Sequence, residues 1–293
     1  MTYSSRALAG VSDTAILAGV APVNNTPSLP VSASMRDAIA TVCTVSKQLK
    51  VEYTRVEPNE EGGTVFYMAD GIDKTYFVKA VAASSLGIDK PFAVSHHNEL
   101  LFLLKDAAAA MSVEHTMQMV AKSDEEFAPA SVPTQLQFLS DEGVFLHNLS
   151  NACMAPKAQL KRTPVWDAQF RLDLNGCLVK SVSKHLYRLR NCEYLCQFSQ
   201  DDTGTYINIG TSAKLLVSGK NVVFDEIVGL PHSWLTGNLL VMLKTLLKLK
   251  VDTALIKISS ATGLMLFAFS VGEAKVGFDV IFPGKIVDPA TGC

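Results

Sequence analysis

The chain has 293 residues and a mass of 31.6 kDa, with 48% hydrophobic and 18% charged residues. That supplies apolar material for two cores of ordinary domain size and excludes general disorder. The 26 Lys and Arg against 28 Asp and Glu give a formal net charge of −2, which excludes a chain coated in positive charge but not one locally basic face. In chain order, residues 1–30 are rich in Ala, Ser, Asn and Pro and read as an extended arm. Residues 32–49 predict the first helix: Ser32 or Ser34 can cap it, and Ile39, Val42, Cys43, Ser46 and Leu49 share one face. Strands are expected at 51–57, 64–69 and 75–82 from alternation and β-branched or aromatic content. A second helix is predicted over 96–110 with Ser95 as cap, then strands at 112–121, 134–140 and 144–149, with residues 122–133 as a loop.

Residues 150–167 are polar and interrupted by Pro156 and Pro164, as expected of a linker. A third helix is predicted over 177–189, with Leu178, Val182, Leu186 and Leu189 inward, followed by strands at 193–199, 205–211 and 221–228. The fourth helix, 236–249, turns Leu239, Leu240, Leu243, Leu246 and Leu247 inward, and strands follow at 253–259, 264–271 and 275–282. Every helix precedes three strands. Residues 169–174 and 91–94 add a strand ahead of the third and second helices, so the repeat is β-α-β-β-β, present four times. The expected class is α+β: domains at 31–150 and 168–288, a connecting loop at 151–167, the arm at 1–30 and a tail at 289–293.

The outward helix faces carry the charge pattern of interest. Lys180, Lys184 and Arg188 form one stripe on the third helix without an intervening carboxylate, and Lys244 and Lys248 repeat it on the fourth. Arg36 and Lys47 lie on the polar side of the first helix, and the second carries His97 and Lys105 opposed by Glu99 and Asp106. Carboxylates gather in strands and turns, at Glu60 and Glu61, Asp141 and Glu142, and Asp201 and Asp202. Helices that carry only cations, in a chain that is net acidic, suit the backbone of a polyanion. A solvated surface is the alternative reading of any one stripe.

Four such repeats in two domains, with a long linker and basic helices on an acidic body, resemble the DNA sliding clamps that serve polymerases as processivity factors. The likeness is to the two-domain clamps of eukaryotes, archaea and tailed phages, which close as trimers. It spans about residues 31–288, and its strongest local feature is a last strand at 277–282 running into Pro283-Gly284-Lys285-Ile286-Val287-Asp288, with Gly284 as an added residue. The resemblance implies the DNA clamp fold, with helices lining a hole around duplex DNA. Lys180, Lys184, Arg188, Lys244, Lys248, Arg36, Lys47 and Lys105 would then face the phosphates without reading bases. It also implies a homotrimeric ring, with a DNA polymerase and a clamp loader as partners that insert hydrophobic peptides under the linker against the C-terminal tail. Leu160, Pro283 and Ile286 are the matching partner-binding candidates.

Residues 75–78 and 205–209 contain little Pro or Lys and are expected as exposed sheet edges, through which one copy would pair with the next. A scaffolding protein that keeps the clamp fold without sliding, or a monomeric processivity factor with an open basic face, are the alternatives. The six cysteines follow no disulfide framework, which suits a reducing compartment such as the cytoplasm of a bacterial host cell. No apolar run reaches the roughly 18 residues of a membrane span. Cys192 and Cys196 lack a second ligand pair at zinc spacing, and neither a phosphate loop nor a nucleophile motif is present. The expectation is therefore a protein without catalytic residues, metal or cofactor, in which Trp166 and Trp234 serve as packing anchors.

Overall fold

Strands and amphipathic helices alternate as expected in the computed structural model, which describes residues 29–69, 76–105, 109–121, 127–155, 157, 160, 162–174, 195–209, 213–219, 232–272 and 275–286. The first unit contains β1 (Leu29–Pro30), α1 (Ala33–Gln48), β2 (Thr54–Pro58), β3 (Thr64–Ala69) and β4 (Phe77–Ala82). The second contains β5 (Phe92–Val94), α2 (His97–Leu104), β6 (Ala110–Ala121), β7 (Phe127–Ser140) and β8 (Gly143–Asn148). A short β9 (Ser150–Asn151) and a 3₁₀ turn (Ala152–Met154) follow. The third unit contains β10 (Ala168–Asp173), β11 (Leu195–Asp201), β12 (Gly204–Ile209) and β13 (Ala213–Gly219); its expected helix lies outside the described residues. The fourth contains β14 (His232–Leu235), α3 (Thr236–Lys248), β15 (Thr253–Ser259), β16 (Leu264–Val271) and β17 (Val276–Pro283), and β18 (Lys285–Ile286) comes last.

The strand ahead of each helix pairs outside its own unit. β1 joins β6 and β5 joins β2, so the first two units exchange leading strands. β10 joins β15 and β14 joins β11, the same exchange between the third and fourth units. Neither member of a pair can form its sheet alone. One further pairing, β17 against β4 from Gly277↔Val81 to Ile281↔Phe77, joins the two halves. A nine-stranded sheet results, in the order β10-β15-β16-β17-β4-β3-β2-β5-β9, beside a four-stranded β1-β6-β7-β8 and a five-stranded β13-β12-β11-β14-β18.

The helices cover the apolar face of these sheets. On α1, Met35, Ile39, Val42 and Cys43 are buried, and burial pushes the Cys43 thiol up to about 12, which keeps it inert. Of the two candidate caps, Ser32 is the one used: its Oγ accepts from the Met35 amide at 3.3 Å. α1 and α3 end alike, on Leu49-Lys50-Val51 and Leu249-Lys250-Val251. Lys50 and Lys250 take the left-handed conformation at φ 57° and 55°. The Val51 and Val251 amides then reach back to the Ser46 and Leu246 carbonyls at 2.9 and 3.1 Å. Rings bind the layers together: Phe282 packs on Tyr76 and Phe267, and Phe198 on Phe170 and Trp234.

Several expectations need correction. The cap of α2 is His96, at φ 51° with no side-chain cap bond, not Ser95, and the helix stops at Leu104 rather than 110. Of the predicted loop at 122–133, residues 127–133 are strand, since the pairing of β6 with β7 runs to Ala121↔Phe127, and 122–126 lie outside the described residues. Pro133 sits opposite His115 at a register shift, and Pro129 lies where β6 and β7 have only each other as described neighbours, so neither missing amide breaks a wider ladder. A strand runs at 213–219, where none was expected, and the one expected at 221–228 lies outside the described residues. The supposed edges at 75–78 and 205–209 are interior. β4 lies between β3 and β17, and β12 between β11 and β13.

A buried polar chain links the first two units. Ser46 Oγ lies 2.8 Å from Thr54 Oγ1, which lies 2.9 Å from His97 Nε2. Burial, with help from nearby His147 and His96, lowers the His97 pKa to about 4. His147 is lowered by burial too, against the opposing charge of Glu99. Because the fold holds neutral His97 below its ordinary 6.5, stability is complete above that pH and is lost as pH falls toward 4. His97 alone should account for roughly 3 kcal/mol across this window. Urea titrations at stepped pH should show that slope in the parent and a flatter one in His97→Gln.

Candidate nucleic-acid and partner interfaces

Helical periodicity leaves one stripe of each amphipathic helix in solvent, and α1 touches both α2 and α3, so the three described helices share one face of the molecule. Outward on α3 stand Val241, Lys244 and Lys248, followed by Lys250, with no acidic residue in its first turn. α1 presents Asp37 and Lys47, and α2 presents Glu99, Phe102 and Lys105. Lys47, Lys105, Lys244 and Lys248 are thus exposed on a common helical face. Lys180, Lys184 and Arg188 lie outside the described residues.

Arg36 does not join that face. Its Nη1 donates to the Ala109 carbonyl at 2.5 Å and its Nη2 to the Leu104 carbonyl at 3.3 Å. The guanidinium neutralises the carbonyl end of α2 and ties it to α1. This accounts for the early end of α2 and gives Arg36 a structural task in place of a phosphate contact.

The opposite face of the nine-stranded sheet is built by register. One row across it reads Lys257, Leu266, Ile281 and Phe77, and the next reads Arg171, Leu255, Ala268, Asp279, Lys79, Tyr67 and Arg55. The linker crosses these rows. Beneath it lies a cavity of about 390 Å³, floored by Leu266, Ile281, Phe77 and Tyr67, roofed by Leu160, Pro164 and Trp166, and bordered by Lys79 and Asp279. Burial raises the Asp279 pKa against the pull of Lys79 and Lys257. A shallower trough of about 720 Å³ continues past Lys79 and Asp279 over the small residues Ala268, Ser270 and Gly277.

Of the three partner-binding candidates, Leu160 lines this cavity and exposed Pro283 is not among its lining residues, while the side chain of Ile286 lies outside the described residues. Pro283 is exposed opposite Leu264 at the end of β17, and Ile286 pairs with His232 in β18. Between them, a Cβ on Gly284 would stand 2.6 Å from the Gly263 carbonyl oxygen and 2.9 Å from Trp234 Nε1, so the added residue has to be glycine. Trp234 is the buried anchor expected, whereas Trp166 is half-buried over the cavity. Sequence reasoning missed Phe77, Leu266 and Ile281. The alternation of β17, with Phe278, Val280 and Phe282 inward, marks Ile281 as an apolar residue on the other face, the one signal available.

Of the strands that come last in the four units, β8 and β13 have one hydrogen-bonded neighbour among the described residues and end their sheets, whereas β4 and β17 are interior. β8 exposes Val144, Phe145 and Leu146 in a row, with Leu139 exposed on adjacent β7. Phe102 on α2 is 71% exposed. Contiguous exposed apolar residues along a strand edge mark a contact surface.

This architecture has counterparts among solved structures. PCNA of A. fulgidus, in a structure with the C-terminal region of FEN-1 bound, superposes with a TM-score of 0.57 at 13% identity, covering 89% of this chain and 99% of that one. The chain has the sliding-clamp fold. A PCNA2–PCNA3 complex from Sulfolobus tokodaii gives a TM-score of 0.54 at 8% identity, covering 89% of this chain and 100% of that one. No protein-family model and no curated protein matches the sequence. At such identity the likeness is one of fold.

The two kinds of cation on these helices should separate by mutation. Arg36→Ala removes two bonds to carbonyls and should cost about 1–3 kcal/mol of unfolding free energy. Lys47→Ala or Lys248→Ala should stay within about 0.5 kcal/mol. Chemical denaturation of the three variants checks this.

Proposed function

We propose that the protein is a DNA sliding clamp that closes as a ring around duplex DNA and tethers a polymerase to it. The observation that carries the reading is the clamp topology over 89% of the chain, with Lys47, Lys105, Lys244 and Lys248 on the helical face. Attraction by such side chains is long-range and blind to sequence, as sliding requires. The protein acts by binding and not by catalysis.

Ring closure follows from which strands are already used. Within the chain, the last strand of the first unit (β4) pairs with the last strand of the fourth (β17). The last strands of the second and third units, β8 and β13, lie at sheet edges among the described residues. Pairing β8 of one copy with β13 of the next would repeat the internal joint between subunits and bury Val144, Phe145 and Leu146. Such a head-to-tail contact must close or grow without limit, and the clamp resemblance favours closure at three. The cavity under the linker is the proposed seat for a hydrophobic peptide from a polymerase or loader, supported by its apolar floor and by the FEN-1 segment bound to A. fulgidus PCNA. The buried thiols of Cys43 and Cys196 support work in a reducing, DNA-containing compartment.

Light scattering after gel filtration should give three times the 31.6 kDa chain mass for the parent and a monomer for Leu146→Lys. A combined Ala replacement of Lys47, Lys105, Lys244 and Lys248 should keep the trimer but lose retention on circular duplex DNA. Its slope of log K against log salt should fall by about 0.9 for each phosphate no longer neutralised. A monodisperse parent monomer at micromolar concentration, or unchanged retention of the four-Ala variant, overturns the proposal.

A further inference from the structure

We infer that Glu57 and Lys157 are positioning residues that set the roof of the linker cavity, an inference that rests on reading that cavity as a client site. Glu57 lies on β2, on the sheet face over which the linker runs. Its Oε1 accepts from Arg55 Nε at 2.6 Å and its Oε2 from Lys157 Nζ at 2.9 Å, so each carboxylate oxygen holds a different cation. Arg55 Nη1 in turn donates to the Ala152 carbonyl at 2.9 Å, at the 3₁₀ turn where the linker begins. The Lys157 ammonium lies 5.4 Å from the centre of the Tyr67 ring, within cation–π range.

Tyr67 belongs both to this cluster and to the cavity. In the register row Arg55, Tyr67, Lys79 and Asp279, the first two hold the start of the linker and the last three border the cavity. The far end of the linker is tied separately: Asp167 Oδ1 accepts from the Ser260 amide at 2.8 Å, and its Oδ2 bonds the Ser260 hydroxyl. Leu160, Pro164 and Trp166 span the distance between the two ties. Removing the Glu57 charge frees the first tie and leaves the second.

The ion pair is better placed than most at a surface. The Glu57 side chain is 13% exposed and that of Lys157 41%. Burial by itself would raise the Glu57 pKa, but the hydrogen bonds from Lys157 and Arg55 outweigh it and hold the carboxylate below its usual range. Even so, a partly exposed pair contributes little to global stability. Its consequence is local: it selects one linker position, so that a client peptide meets a formed roof instead of ordering one on binding.

The experiment follows amide hydrogen exchange at Arg162, Thr163 and Trp166 in the full chain, together with binding of a fluorescein-labelled peptide from the C-terminal region of FEN-1. Glu57→Gln and Lys157→Met should speed exchange at these amides by about fivefold, the equivalent of the upper end of a partly exposed ion pair. They should weaken the peptide about threefold, while exchange in β3 and β4 stays unchanged. Lys157→Arg, which keeps the charge and the ring contact, should behave as the parent. Unchanged linker exchange in Glu57→Gln, or acceleration that extends equally to β3 and β4, overturns the inference. Faster linker exchange in a protein whose parent form binds no peptide supports the positioning role and overturns the client reading alone.

Discussion

The pairing of β17 with β4 is the constraint on which the rest of the molecule depends. It brings residues 77–81 beside residues 277–281 in five registered pairs, joining chain segments about 200 residues apart in sequence. Once it forms, the helical face and the linker face become two sides of one object. The rings of Tyr76 and Phe282 come together on the core side, and Phe77 meets Ile281 on the other. Without the pairing, the cavity floor would be split between two bodies, and α1 and α3 would have no common face.

A second level of organisation comes from the exchanged leading strands. In each half, the strand before one helix completes the sheet of the other unit, so neither unit can close on its own. Exchange of this kind makes the two units fold as one cooperative body, because breaking either pairing exposes an edge and an apolar helix face together. The Leu-Lys-Val ends of α1 and α3 show the repeat at the level of single residues, with lysine held in a conformation for which glycine is the usual choice. α2 departs from the pattern. Its left-handed His96 start and its short run to Leu104 adapt it to the His97–Thr54–Ser46 chain and to Arg36, both of which tie it to neighbours from the first unit.

The two faces use charge differently. On the helical face, Lys47, Lys105, Lys244 and Lys248 are exposed to water. On the linker face, Arg55, Glu57 and Lys157 are engaged by one another and by a backbone carbonyl, and Asp279 stands between lysines that fail to offset its desolvation. The same residue types thus behave differently on the two faces because their dielectric surroundings differ.

By itself, the sequence determined whatever depends on neighbours a few residues apart. Alternation placed β3, β15 and β16 over 64–69, 253–259 and 264–271, and the 3.6-residue period put Lys47, Lys105, Lys244 and Lys248 on the solvent side of their helices. The order of strands and helices over the described parts of the first, second and fourth units was legible for the same reason. Tertiary structure decided everything whose partner is remote. A strand such as β4 has the same composition at an edge as in a sheet centre, and only β17 makes it interior. Arg36 has the sequence pattern of a surface cation until the carbonyls of Leu104 and Ala109 reach it from the second unit. The cavity takes Phe77, Leu266 and Ile281 from three strands, so no local window contains it. Periodicity is a property of a short stretch of backbone, whereas an edge, a buried charge or a pocket is a property of what stands opposite, and that is settled only when distant strands pair.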